Sequence, residues 1–210
     1  MSADRHLVIF VKAPRLGRVK RRLAADIGAV AALMFYRRTA GKVVHRLSRD
    51  TRWRTWLAVT PDSAIQGGSW PAGGTRIPQG VGDLGQRMFR PMRRLPPGPV
   101  VIVGTDIPEL DSRHIAAAFA ALGRHHAVFG PAPDGGYWLV GLARRARRRD
   151  VFRQVRWSTR HALADTLANL PSTWSVKFLT PLEDVDDGVS FLRWRQRARE
   201  AAALARGAMA

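Results

Sequence analysis

A chain of 210 residues with 46% hydrophobic residues can bury one substantial core, which excludes disorder and predicts a single domain over residues 1–210. The absence of cysteine excludes disulfide frameworks and thiolate metal sites, and no apolar run approaches the roughly 18–20 residues that span a bilayer. The formal charge of +19 invites a nucleic-acid reading, but the excess is nearly all Arg and is scattered along the chain, with local clusters at 144–149 and 193–199.

In chain order, HLVIFVK (6–12) reads as a first strand. It is not a signal peptide, because KAPRLGRVKRR follows where small residues would be required. A long helical stretch runs from about Val19 to Leu47, broken or bent near Gly28, with an apolar face through Leu23, Ile27, Ala31, Met34 and Phe35. WRTWLAVT (53–60) is a second strand ending at Pro61, and the Gly, Pro and Ser of 61–74 make a surface loop. A short strand at Thr75–Pro78 leads to QGVGDLGQRM, where Asp83 caps a helix running to about Leu95.

GPVVIVGTD (98–106) is the central strand, followed by a helix capped by Asp111 or Ser112 and stopped at Gly123. HAVFGPAPDGGYWLVGL forms two strands around a Gly/Pro/Asp loop. A basic linker (144–149), a capped helix in WSTRHALADTLANL, a late strand WSVKFL and a C-terminal helix to about residue 206 complete the chain. Strands alternating with helices, with short apolar leading strands, predict a three-layer α/β/α sandwich around a mostly parallel, Rossmann-like sheet. In such sheets ligands bind beyond the carboxyl ends of the strands, where strand order reverses.

The strand ends carry the chemistry. Pro14 and Gly17 shape a loop in which Lys12, Arg15, Arg18, Lys20 and Arg22 crowd the start of a helix, an arrangement suited to phosphate. The plainer alternative is an Arg-rich turn; neither a Walker A nor a G-x-G-x-x-G pattern is present. Lys20 and Arg22, two apart, cannot share one helical face. Asp106 could cap the next helix or bind a divalent cation, and Asp111 sits better for capping. Asp134 before Gly135 and Gly136 is ordinary turn chemistry. Glu183, Asp184, Asp186 and Asp187 stand out in an acid-poor chain; Asp187 can cap the last helix, which frees the others to ligate. The six histidines show neither metal-ligand nor nucleophile–base spacing.

Taken in order, FVKAPRLGRVKRRLA, QGVGDLGQRM, VIVGTDIPEL, GPAPDGGYWLVGL, RWST and LEDVDDG resemble a bacterial family of glycosyltransferase-like proteins with the nucleotide-diphospho-sugar transferase (GT-A) fold. Some of its members are labelled selenodomain-associated or arsenosugar-biosynthesis transferases. The resemblance covers about residues 6–192. Molybdenum-cofactor and phospholactate guanylyltransferases are more distantly similar.

The resemblance implies that Asp106 and Asp186 hold Mg²⁺ or Mn²⁺. It also implies that Lys12, Pro14, Gly17, Arg18, Lys20, Gly82 and Asp83 bind the nucleotide. Gly135, Gly136 and Tyr137 would lie on the acceptor side, with Asp134 and Lys20 catalytic. The implied partners are a nucleotide or nucleotide sugar and a small-molecule acceptor. The absence of cysteine points to the cytoplasm, and the scattered Arg reads as a solvated surface and not as a nucleic-acid face. Three departures stand out: Arg21 replaces the usual Thr, Gln86 the usual Glu, and Asp187-Gly188-Val189-Ser190 the usual Thr-Pro-Glu-Asp. The expected activity is metal-dependent glycosyl transfer from a nucleoside-diphosphate sugar. The alternative is nucleotidyl transfer with pyrophosphate release, and a basic nucleic-acid-binding module ranks behind both.

Overall fold

Strand β1 (His6–Lys12) is apolar from Leu7 to Val11 and belongs at the centre of the sheet for that reason. In the computed structural model, which describes residues 5–67 and 70–207, it pairs in parallel with β2 (Arg54–Thr60) on one side and β4 (Val100–Val103) on the other. β3 (Thr75–Pro78) extends the β2 side. Beyond β4 come β6 (Tyr137–Leu142), β5 (Ala127–Pro131) and β7 (Val176–Phe178), giving the order β3-β2-β1-β4-β6-β5-β7. Only β6 runs against the others. The chain leaves β1 for β2 on one side and returns to β4 on the other, so the order reverses between β1 and β4.

Alternating side chains of β1 feed two cores. Leu7, Ile9 and Val11 pack with Val43, Val44 and Leu47 of α2 (Ala29–Ser48) and Ile115, Ala118 and Phe119 of α4 (Ser112–Ala121). Val8 faces the other way, toward Met88 and Met92 of α3 (Leu84–Arg94), with Leu163 and Leu167 of α5 (Ala162–Ala168) packed alongside. The architecture is the α/β/α sandwich that the sequence predicts. No helix among the described residues is long and apolar enough to cross a membrane.

Of the break or bend that the sequence predicts near Gly28, the structure takes the break: φ of 87° there ends α1 (Arg21–Ile27) and starts α2 afresh. Two sequence expectations, the buried face of this stretch and the cap of α5, are corrected. The break resets the helical phase, so α2 buries Ala32, Tyr36, Thr39, Ala40, Val43 and Leu47, whereas Ala31 and Met34 face solvent. α5 has no side-chain cap; His161 occupies its N-cap position without a capping hydrogen bond. Within the basic linker, Arg147 is 6% exposed and donates to the carbonyls of Leu95 (2.8 Å) and Pro96 (2.7 Å). It ties the turn after β6 to the end of α3.

The capping of α3 follows the sequence closely. Asp83 accepts from the Gln86 N–H at 2.8 Å, and Gln86 Oε1 accepts from the Asp83 N–H at 3.1 Å. This capping box satisfies two donors that the helix start would otherwise leave open. Gln86, a departure from the expected Glu, keeps the reciprocal bond intact. Close packing explains the third glycine of the block: a Cβ at Gly85 would lie 2.6 Å from the Phe152 carbonyl oxygen and 2.9 Å from the Trp157 ring. Gly85→Ala is therefore expected to destabilise the fold by about 1–3 kcal/mol through overpacking, read as a lowered urea midpoint with an unchanged m-value.

Candidate functional site

The end of β1 is held by a residue from a different element. Tyr36 of α2 accepts from the Lys12 N–H and donates to the Lys12 carbonyl, both at 2.8 Å. Burial of this hydroxyl pushes its pKa up to about 12, against the lowering effect of its bond to the Lys12 backbone, so it stays a neutral donor and acceptor. The sequence showed no sign of this role, because the break at Gly28 hid the phase that turns Tyr36 inward.

From this clamp the chain runs through residues 13–20 with Gly17 at φ 70° and Lys20 at φ 47°. A positive φ at a residue with a side chain is uncommon and costs on the order of 1 kcal/mol. Lys20 takes that conformation as the N-cap of α1 and lies outside the helix proper. Lys20 and Arg22 do not share a helical face, as their spacing predicts, yet both line one cleft, because the left-handed turn aims Lys20 on its own. α1 has only seven residues, so the positive charge at this loop comes from cationic side chains and not from a long helix dipole.

The Lys20 ammonium lies 2.8 Å from Asp106 Oδ1 and 2.5 Å from Asp186 Oδ1. Its side chain is 5% exposed, whereas the two aspartates are 42% and 43% exposed. Burial alone would lower the Lys20 pKa, but the attraction of Asp106 and then Asp186, with hydrogen bonds to both, raises it above the ordinary lysine value. These groups sit at the floor of a cleft of about 410 Å³ lined by Lys12, Arg18, Arg21, Arg22, Tyr36, Gln79 and Thr105, at the reversal between β1 and β4. Among the sequence-predicted residues, the fold brings Lys12, Arg18, Lys20, Asp106 and Asp186 together here.

The acidic loop is anchored for this purpose. The Val185 N–H donates to the Asp106 carbonyl at 3.0 Å, and the Gly188 N–H donates to Asp26 Oδ2 of α1 at 2.7 Å. Ser190 begins to explain the third departure. Its hydroxyl accepts from the N–H groups of Asp186 (3.0 Å) and Asp187 (3.1 Å), while Asp187 caps α6 (Gly188–Gly207) by accepting from the Ser190 N–H at 2.8 Å. Asp184 is hydrogen-bonded to Asp186. Burial first, then the charge of Asp186 and the shared hydrogen bond, push its pKa up to about 7. Asp186 itself is held below the usual carboxylate range: burial is the largest influence and acts against this, and the Lys20 charge, the hydrogen bonds to Lys20 and Asp184 and the Arg22 charge together outweigh it.

The remaining predicted residues lie elsewhere. Pro14 borders a neighbouring cleft of about 360 Å³ beside Arg37, His45 and Trp70. Gly17 shapes the loop, and Gly82 and Asp83 build the start of α3. The α3 block reaches the cleft indirectly, since Arg87 donates to Gln79 Oε1 at 3.2 Å and Arg90 to the carbonyls of Gln79 and Val81. Asp134 makes the expected turn, accepting from the Gly136 N–H at 2.9 Å. It is exposed, and its charge is felt at Asp184. Gly135 has φ 84°, and a Cβ there would strike the Arg160 backbone. Tyr137 packs its ring on Phe129 and Trp157, with its hydroxyl 3.4 Å from that of Thr166, and burial pushes its pKa up. Gln79, Thr105 and Tyr36 line the cleft without having been singled out from sequence.

Among the described residues, no group of three or more acidic or histidine side chains forms a metal cage. Two carboxylate oxygens do converge on one cationic atom, and such hard oxygen donors suit Mg²⁺ or Mn²⁺ when phosphate oxygens and water complete the shell. The residues fit a phosphate-bridged divalent ion. The Asp184 shift sets a sign for stability. The folded chain keeps a proton between about pH 4 and 7 that the unfolded chain has released, so stability falls as pH rises through that window. The groups facing Asp184 are Asp186, Lys20 and Asp134. Asp184→Asn is expected to flatten this fall and to exceed the wild type by about 1–2 kcal/mol at pH 8 after allowance for partial exposure, measured by urea unfolding at pH 4.5 and 8.

Comparison with known proteins agrees with this fold. A crystal structure from Desulfovibrio desulfuricans G20, described as a "putative nucleotide-diphospho-sugar transferase", is 29% identical over 89% of this chain and 84% of that one, with a TM-score of 0.82. Two others share the fold alone. The 4-diphosphocytidyl-2C-methyl-D-erythritol synthase of Anaerococcus prevotii DSM 20548 is 8% identical over 93% of this chain and 98% of that one, TM-score 0.59. CMP:2-keto-3-deoxy-manno-octonic acid synthetase, solved with CTP, is 11% identical over 95% of this chain and 100% of that one, TM-score 0.58. No curated protein sequence matches. Residues 43–159, more than half of the chain, match the family described as "Uncharacterized protein conserved in bacteria (DUF2064)", and with the central strand, the α3 block and the DGG turn all inside that span, the chain belongs to this family.

Proposed function

We propose that the protein is a metal-dependent transferase that uses a nucleoside-diphosphate sugar as donor and passes the sugar to a small-molecule acceptor. The observation that carries this reading is the meeting of Lys20, Asp106 and Asp186 at the floor of a cation-lined cleft. The similarity to the Desulfovibrio protein supports the donor class. Asp106 and Asp186 would hold the Mg²⁺ or Mn²⁺, which would neutralise charge growing on the leaving diphosphate. Lys12, Arg18 and Arg22 orient the phosphates, and Lys20 supplies a further positive charge to them as the bond from the sugar to the diphosphate breaks.

Asp134 orients the acceptor hydroxyl and takes its proton as the new glycosidic bond forms. Only one of its oxygens is engaged by the Gly136 N–H, and a carboxylate retains lone pairs beyond one such bond. The same residues would also serve attack on the α-phosphorus of a nucleoside triphosphate, so the product separates the two chemistries. Release of nucleoside diphosphate indicates glycosyl transfer, and release of pyrophosphate indicates nucleotidyl transfer.

Asp106→Asn is expected to stay folded and to lose Mg²⁺- or Mn²⁺-dependent binding of nucleotide sugars in calorimetry. Unchanged metal-dependent affinity would remove Asp106 from the site. Binding to DNA or RNA that falls steeply with salt and survives Asp106→Asn would instead support a nucleic-acid module.

A further inference from the structure

The Lys20 ammonium occupies the point on which the Asp106 and Asp186 oxygens converge, at 2.8 and 2.5 Å. A magnesium ion takes carboxylate oxygens at about 2.0–2.1 Å, so an ion held by both aspartates needs the place where the ammonium stands. Two cations cannot share it. We infer that Lys20 and a divalent cation compete for the same two carboxylates, so that Lys20 acts as a resident counter-ion displaced when metal and phosphate arrive. This inference rests on the proposed metal site and adds to it a rule for how the site is loaded.

Several features make the exchange workable. The Lys20 side chain is 5% exposed where it stands, yet the cleft of about 410 Å³ opens directly before it. The two aspartates keep 42% and 43% of their side-chain surface exposed, so an ion can approach them from solvent. The left-handed backbone at Lys20, φ 47°, sets the direction of the side chain at its root. The flexible four-carbon stem beyond lets the ammonium swing. Displaced, it would face the space lined by Arg18 and Arg22, where a diphosphate would lie. Phosphate oxygens would then serve the ion as ligands and the freed ammonium as a new counter-charge. Metal and phosphate would each favour the binding of the other, as linkage requires. A bare divalent ion would bind weakly, because it must evict a well-paired ammonium with nothing to receive it.

The test reads metal binding without any nucleotide. Mn²⁺ affinity of the wild type, Lys20→Met and Lys20→Arg is measured by the electron paramagnetic resonance signal of free Mn²⁺. Lys20→Met removes the competitor and is expected to bind Mn²⁺ about tenfold or more tightly than the wild type, within the usual range of coupling between sites. Lys20→Arg keeps a competing cation and is expected to bind as weakly as the wild type. Equal or weaker binding by Lys20→Met, or no Mn²⁺ binding by any of the three, overturns the inference.

A second measurement needs only the wild type, in case Lys20→Met does not fold. The chain has four lysines, Lys12, Lys20, Lys42 and Lys177, so acetylation at each can be followed by mass spectrometry. Mg²⁺ with pyrophosphate is expected to raise labelling of Lys20 severalfold relative to the other three, and an unchanged ratio overturns the inference. Failure to bind any nucleotide sugar or nucleoside triphosphate would refute the proposed function while leaving the Mn²⁺ comparison standing, so the two failures remain distinct.

Discussion

One ammonium between two carboxylates organises the functional end of this molecule. Lys20 comes from the loop after β1, Asp106 from the turn after β4, and Asp186 from a loop 80 residues further along. No local rule brings these three together, so each must be delivered by its own support. The Tyr36 hydroxyl fixes the start of the first loop. Arg46 of α2 donates to the Leu110 carbonyl at 2.6 Å and steadies the turn that carries Asp106 and Pro108. The Val185 N–H and the Ser190 hydroxyl hold the third loop. A buried lysine with no partner would lose its proton, because desolvation disfavours the charged form. Here two carboxylates more than offset that penalty, and the lysine stays charged although nearly inaccessible.

The same cluster explains how so basic a chain accommodates a group of acids. Lys20, Asp106 and Asp186 together carry one net negative charge, and Asp184 beside them keeps its proton to about pH 7. Around this small acidic centre stand Lys12, Arg18, Arg21 and Arg22. A cationic rim with an acidic floor suits a ligand that is itself polyanionic but is held through a metal ion, and it does not resemble the broad basic face that follows a nucleic-acid backbone. Elsewhere the arginines are partly structural. Arg147 is buried against the end of α3, and Arg193 and Arg197 bind Glu183.

The motif blocks turn out to combine residues that line or support the cleft with architectural ones. In GDLGQR, Asp83 and Gln86 cap α3, Gly85 lets it approach Phe152, and Arg87 reaches the cleft through Gln79. In DGGY, the aspartate and first glycine form a tight turn, while the tyrosine ring lies in the core beneath β6. Sequence matching treats such blocks as single units, because it records that residues recur together without recording what each one touches. Tyr36 escaped it for the opposite reason. It lies in no block, and its importance arises from a helix phase that Gly28 reset.

The sequence by itself determined the alternation of strand and helix, the central place of the apolar strands, the caps at Asp83 and Asp187, and the strand ends at which charged residues would gather. These follow from local periodicity and capping chemistry, which act over a few residues and are written in order along the chain. Only the tertiary structure decided that Lys20 would leave its helix and lie between Asp106 and Asp186, that Tyr36 would clamp β1, and that Asp184 would hold a proton. Those outcomes depend on which loops the sheet order places side by side and on how much water remains between them. Distances and burial of that kind are properties of the folded chain, and no spacing along the sequence encodes them.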